Sequence, residues 1–201
     1  WHAYHTTAEY IPNGVPLPDL DAKESTLNQW DLKPQEYILS VSRLVRHKGI
    51  HYLIEAFKQI DTDKKLVIVG GSEYTDEYVK ELHQRAKGNP NIIFTGKQSG
   101  ESLHALYQYA YTFVHPSQSE GLSVALLESL SYNLPVLSSD IPENLEIIEG
   151  RGITFKNADI ADLNNKLQFM IQHPEIVKQY KQGGREYVAE EYNWNTITKD
   201  T

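Results

Sequence analysis

The sequence predicts one three-layer α/β/α domain built on a parallel sheet, and two observations carry that prediction. From Glu36 onward, short continuous apolar runs alternate with amphipathic stretches. A strand that is apolar at consecutive positions has both faces covered, as in a parallel sheet with helices on each side. Strand and helix then alternate strictly, the order that gives right-handed crossovers and places ligands outside the carboxyl ends of the strands. A chain of 201 residues can bury one good core of this kind.

Taken in order, residues 8–11 read as a short extended piece and Pro12-Asn13-Gly14 as a turn. The Pro- and Asp-rich stretch that follows, to about Asp21, reads as a linker, so residues 1–20 are expected to be a hinge segment and 21–201 the folded domain. A polar, weakly helical stretch comes next. Strands are expected at residues 37–41, 65–69, 91–94, 111–114 and 134–138, with a weaker sixth at 152–155. Helices are expected at 50–60, 76–87, 101–109, 122–132 and 159–172, with a short turn at 143–148. A last long amphipathic helix is expected over 174–192, Pro174 suiting its first turn.

Composition narrows the partners. A formal net charge of -8 leaves no overall positive field for a nucleic-acid backbone, so any bound phosphate must be met by a few local cations and amides. No apolar run approaches the roughly 18 residues of a membrane span. Cysteine is absent, which excludes disulfides and thiolate metal sites and suits a reducing cytoplasm. The chain opens on Trp1-His2-Ala3-Tyr4-His5 without an initiator Met, and its end shows no capping Gly. Both ends read as those of a domain cut from a longer polypeptide.

Four loops at strand ends carry the candidate chemistry. Ser42-Arg43-Leu44-Val45-Arg46-His47-Lys48-Gly49 places cations and a glycine at a helix start, where amides and the helix dipole favour an anion. The same residues also suit a solvated basic turn. Gly70-Gly71 after the second strand allows close backbone approach, or simply a tight turn. Thr95-Gly96-Lys97-Gln98 is similar and could offer main-chain groups to a nucleotide base.

The richest segment runs from His115-Pro116-Ser117 through Glu120, Gly121, Leu122 and Ser123 to Glu128. Carboxylates accept hydrogen bonds from vicinal hydroxyls, so two acids at one strand end suit a polyhydroxylated ligand. The amides of Gly121, Leu122 and Ser123 are expected at a helix start near Gly121 or Leu122, facing an anion. Glu120 equally suits a favourable acid at a helix N-terminus and Glu128 a surface position. His115 reads as a packed or capping histidine.

These residues together resemble the GT-B glycosyltransferases of the group 1, or family 4, retaining type. The resemblance rests on Glu120, inside His-Pro-Ser-x-x-Glu-Gly, and Glu128, with seven residues between them, and on the following Ala-Leu-Leu-Glu-Ser-Leu and Leu134-Pro135-Val136-Leu137-Ser138-Ser139-Asp140. Ser42-Arg43-Leu44 with Lys48-Gly49 and Tyr10-Ile11-Pro12-Asn13-Gly14-Val15 extend it over nearly the whole chain. Three positions depart from the common pattern: Ser42 and Asn133 stand where glycine is frequent, and Leu122 where phenylalanine is.

The resemblance implies a Rossmann-like fold, the C-terminal half of a GT-B enzyme whose N-terminal half binds the acceptor. It implies that Arg43 and Lys48 neutralise a donor diphosphate without a metal or other cofactor. Glu120 would then contact the donor sugar and Glu128 the ribose. Gly121, Leu122 and Ser123 would cradle sugar and phosphate, and Gly71, Lys97 and Gln98 would border the nucleotide. Hexosyl transfer from a UDP- or GDP-sugar to a glycan or lipid-linked acceptor, as in polysaccharide synthesis, is the implied reaction. The chain alone is expected to be inactive, in the cytoplasm or, in the full-length enzyme, peripheral to the membrane. Two other functions fit the same residues, a nucleotide-sugar-binding module without turnover and a GT-B-fold nucleotide-sugar epimerase, which the Arg43/Lys48/Glu120/Glu128 set disfavours.

Overall fold

The computed structural model describes residues 13–72 and 76–194. The expected extended piece at 8–11, Pro12 of the expected Pro12-Asn13-Gly14 turn and the chain end at 195–201 lie outside the described residues. Six strands form one parallel sheet: β1 (Tyr37–Val41), β2 (Lys65–Val69), β3 (Ile92–Gly96), β4 (Thr112–His115), β5 (Val136–Ser139) and β6 (Gly152–Phe155). Their spatial order is β3-β2-β1-β4-β5-β6. The connecting helices are α1 (Ile50–Phe57), α2 (Asp76–Ala86), α3 (Gly100–Gln108), α4 (Val124–Ser131), α5 (Pro142–Ile148), α6 (Ile160–Gln172), α7 (Pro174–Gln179) and α8 (Gly184–Glu191). Two 3-10 turns, Glu24–Trp30 and Arg46–Lys48, complete the described elements.

Consecutive strand residues point to opposite faces, and each face has its own core. Tyr37, Leu39, Val67, Phe113 and Val136 join α3, α4 and Val188 of α8 on one side. Ile38, Leu66, Ile68, Val114 and Leu137 join α1, α2, α6 and Val177 of α7 on the other. The continuous apolar runs in the sequence are this double burial. Val15 belongs to the first core and its amide donates to the Tyr192 carbonyl at 2.8 Å, so the stretch after Gly14 is fastened to the body of the domain.

Three elements differ from the sequence expectation. The long helix expected over 174–192 is two helices, α7 and α8. Gly183 takes a left-handed φ of 79°, and a Cβ on Gly184 would lie 2.8 Å from the Leu130 carbonyl oxygen. Close packing of α8 on α4 therefore breaks the helix at the glycine pair. The helix expected from Gly121 or Leu122 starts at Val124, because Ser123 is its N-cap and its hydroxyl accepts from the Leu126 amide. The turn expected at 143–148 is the helix α5, opened by Pro142 in its first turn. Asn133 ends the α4 region at φ 53°, the left-handed conformation that asparagine tolerates.

The strand order reverses between β1 and β4, which are neighbours although they are first and fourth in the chain. In a doubly wound sheet the crevice beyond the carboxyl ends at such a point is where ligands sit. The loops leaving β1 and β4 are 42–49 and 116–123.

Candidate active site

The two loops are knitted together by main-chain contacts before any side-chain chemistry is considered. The Gln118 amide donates to the His47 carbonyl at 2.7 Å, and the Ser117 hydroxyl donates to the same oxygen at 3.2 Å. Gly49 has a φ of 69°, and a Cβ there would lie 1.9 Å from the Pro116 carbonyl oxygen. Only glycine allows that approach. The β1 loop is also fastened to β2, the Ser42 amide donating to Val69 and the Leu44 amide to Gly71, each at 3.0 Å.

On this frame the ammonium of Lys48 donates to both carboxylate oxygens of Glu120 at 2.6 Å. His115 Nε2 lies 2.9 Å from Glu120 Oε1 and 3.0 Å from Ser123 Oγ. The side chains of Glu120 and Lys48 are only 6% and 14% exposed. Burial alone would raise the Glu120 pKa, but the His115 and Lys48 hydrogen bonds outweigh it and hold the carboxylate at about 2. Burial lowers the His115 pKa, with Glu120 opposing and Lys48 assisting, so the ring is neutral at pH 7. Its Nε2 therefore carries the proton and donates to the carboxylate.

Around this fixed pair lie uncommitted groups. Arg43 is exposed, and its side chain forms no ion pair or hydrogen bond among the described residues. The amides of Gly121, Leu122 and Ser123 donate to no protein acceptor among the described residues; they precede α4 instead of opening it. Gly121 is exposed, and a Cβ there would meet nothing within 4 Å, so the fold does not require its glycine. Gly71 follows β2 beside Lys97, whose Cγ lies 3.7 Å from the position of a Gly71 Cβ. Gln98 donates to the Thr95 carbonyl at 2.7 Å.

Glu128 stands apart from the Lys48–Glu120 pair. It lines a pocket of about 190 Å3 with Pro16, Leu17, Leu103, Tyr107 and Tyr132. Burial raises its pKa, and the Tyr107 hydroxyl, donating to Oε2 at 3.0 Å, pulls it back. Tyr107 stacks on Tyr132, ring centres 5.2 Å apart. The sequence did not reveal Tyr107 as the partner of Glu128, nor His115 as the partner of Glu120. The first pair is made by packing α3 on α4 and carries no local spacing. The second did carry a signal, since His115 and Glu120 bracket one short loop after a buried strand.

No three His, Asp or Glu side chains converge as a metal-holding group among the described residues, and no helix among them is long and apolar enough to cross a membrane.

A doubly wound sheet places its ligand at the reversal point, and the cations, buried ionised carboxylate and free amides found there suit an anionic ligand. Comparison with known proteins gives the family. Residues 23–187 match the model of glycosyl transferases group 1. The chain is 33% identical over 175 residues to an uncharacterized glycosyltransferase of Methanocaldococcus jannaschii, a match covering 83% of this chain and 44% of that protein. It is 29% identical over 159 residues to O-antigen chain mannosyltransferase C of Escherichia coli, covering 78% and 40%. Its fold matches HepE of Anabaena, solved with UDP and glucose, with a TM-score of 0.85 at 20% identity, covering 94% of this chain and 54% of that one. This chain belongs to the glycosyl transferases group 1 family, and it spans less than half the length of those two sequence relatives.

Proposed function

We propose that this chain is the donor-binding half of a retaining hexosyltransferase that draws on a UDP- or GDP-sugar and passes the sugar to a glycan or lipid-linked acceptor held by another part of the enzyme. The observation that carries this reading is the site at the β1/β4 reversal, where an exposed guanidinium and three amides without a protein acceptor lie on the same loop pair as a buried, ionised Glu120. Departure of a nucleoside diphosphate builds negative charge, and fixed donors aimed at that charge stabilise it without reorganising.

The side chains divide the work. Arg43, uncommitted, meets the diphosphate directly. Lys48 has two of its three N–H groups on Glu120 and keeps one for a phosphate oxygen. Glu120, held ionised, accepts from sugar hydroxyls, and the amides of Gly121, Leu122 and Ser123 cradle sugar and phosphate. Glu128 accepts from the ribose hydroxyls, and Gly71, Lys97 and Gln98 border the nucleotide. This arrangement supplies its positive charge from side chains and amides and calls for no metal. The uridine nucleotide of HepE and the mannosyl transfer of the Escherichia coli relative support the donor class. The test is a calorimetric titration with UDP, GDP, ADP and their sugars. One nucleotide diphosphate should bind in preference, and Glu128→Ala should abolish that binding while Glu143→Ala leaves it intact. Equal binding by the two variants would overturn the assignment.

A further inference from the structure

The donor loops use the carboxyl ends of the strands, and the opposite end of the sheet holds a second cavity, mainly apolar in surface and lined by three lysines. A pocket of about 450 Å3 is lined by Gln35, Lys64, Tyr111, Val177, Lys178 and Lys181. Gln35 precedes β1 by two residues, and Lys64 and Tyr111 immediately precede β2 and β4. Strands of four or five residues, at about 3.3 Å each, set this pocket roughly 15 Å from the donor loops. One small ligand cannot serve both.

Gln35 organises the cavity. Its backbone is left-handed, with φ 64°, a strained conformation for a non-glycine residue. Its amide donates to the Tyr109 carbonyl at 2.8 Å and its Nε2 to the Ala110 carbonyl at 3.0 Å, which fixes that conformation. Its own carbonyl then accepts from the Lys64 ammonium at 2.9 Å, and its Oε1 accepts from Lys181. A single residue thus draws two ammonium groups to one place. Lys64 also lies 3.9 Å over the centre of the Tyr111 ring.

No carboxylate pairs with Lys64, Lys178 or Lys181 among the described residues. Glu175, the acid in the lining, is held by His173 at 3.0 Å. In a chain of net charge -8, three lysines and a single acid, Glu175, line this one cavity. Burial lowers the pKa values of Lys64 and Lys181; Glu36 opposes this at Lys64, whereas Lys178 and Lys64 lower that of Lys181 further by repulsion.

We propose that this cavity is an anion site for a phosphate-bearing ligand, with Lys64 and Lys181 fixed on the phosphate, Lys178 closing over it from the rim, and Tyr111 and Val177 forming the apolar wall for the remainder of the molecule. The shared chemistry is a phosphate group on an organic body, either a free phosphate ester or a lipid headgroup. Binding of the anion relieves the repulsion among the three ammonium groups, so affinity falls as salt is added.

The test is made in an Arg43→Ala/Lys48→Ala background, so that the two donor-loop cations proposed to meet a diphosphate are absent. The probes are inorganic pyrophosphate, by calorimetry at low salt, and vesicles of phosphatidylcholine with and without phosphatidylglycerol, by sedimentation. Lys64→Met/Lys181→Met keeps the aliphatic stems, and Lys178→Glu reverses charge at an exposed position and leaves the fold untouched. Pyrophosphate binding weakened at least tenfold by each would support a free phosphate ligand. Binding to anionic vesicles alone, lost in both variants, would support a lipid headgroup. No binding to either probe, or binding that both variants retain in full, would overturn the proposal.

Discussion

Replacing Lys48 with methionine keeps the side-chain stem and removes one ammonium from a carboxylate that is 6% exposed. In the intact chain, Glu120 is depressed from 4.5 to about 2. At about 1.4 kcal/mol per unit that is worth about 3 kcal/mol, shared between Lys48 and His115. With the ammonium gone, burial is opposed chiefly by the neutral His115, and the Glu120 pKa climbs to its ordinary value or above. A depressed carboxylate stabilises the fold above its unfolded pKa and loses that contribution as pH falls toward the folded one. Lys48→Met should therefore cost roughly 2–3 kcal/mol at pH 7, in line with the strong penalty for leaving one member of a buried pair alone. The gap to the unsubstituted chain should be about 1.4 kcal/mol smaller at pH 3.5, where the variant's Glu120 takes up a proton and the original's does not. Denaturant unfolding followed by circular dichroism at the two pH values measures both gaps. A gap that is unchanged between them, or below about 0.5 kcal/mol at pH 7, would refute the electrostatic origin of the pair's stability.

Arg43→Ala should leave the unfolding midpoint unchanged, because the side chain is exposed and unpartnered, yet weaken nucleotide diphosphate binding by about tenfold or more in calorimetry, the cost of one charged hydrogen bond. Gly49→Ala and Gly121→Ala should separate fold from function. The first drives a Cβ into the Pro116 carbonyl and should lower stability by more than about 1 kcal/mol, whereas the second meets nothing and should keep the melting temperature while reducing donor affinity. Nucleotide affinity should fall on acidification as the raised pKa of Glu128 is crossed. In Tyr107→Phe the fall should begin at higher pH, since the hydroxyl that pulls Glu128 back is gone; superimposable profiles would show that Tyr107 does not tune it.

The layers of this domain were legible because the central strands are buried on both faces and therefore read as nearly continuous apolar runs, as in Tyr37–Val41 and in Lys65–Val69 after its first residue. The Lys48 and Glu120 loops were legible because each follows such a strand. Their direct pairing was not, since it depends on Gly49 fitting under Pro116, a contact between residues far apart in sequence. The break between α7 and α8 escaped for a similar reason. Lys178 to Tyr187 is amphipathic enough for a helix, and only the proximity of Leu130 to Gly184 shows why the chain turns. Gln35, with its left-handed backbone and its two lysines, lies in a stretch that the sequence marks only as polar.

The central claim is that Arg43, Lys48, Glu120 and Glu128 hold one nucleotide-sugar, although Glu128 lines a pocket that none of the other three enters. A crystal structure of this chain with its preferred donor tests that most directly. The diphosphate should lie within about 3 Å of Arg43 and of the Gly121 to Ser123 amides, with the ribose hydroxyls on Glu128. A donor seated elsewhere, with Glu128 still bonded only to Tyr107, would contradict it.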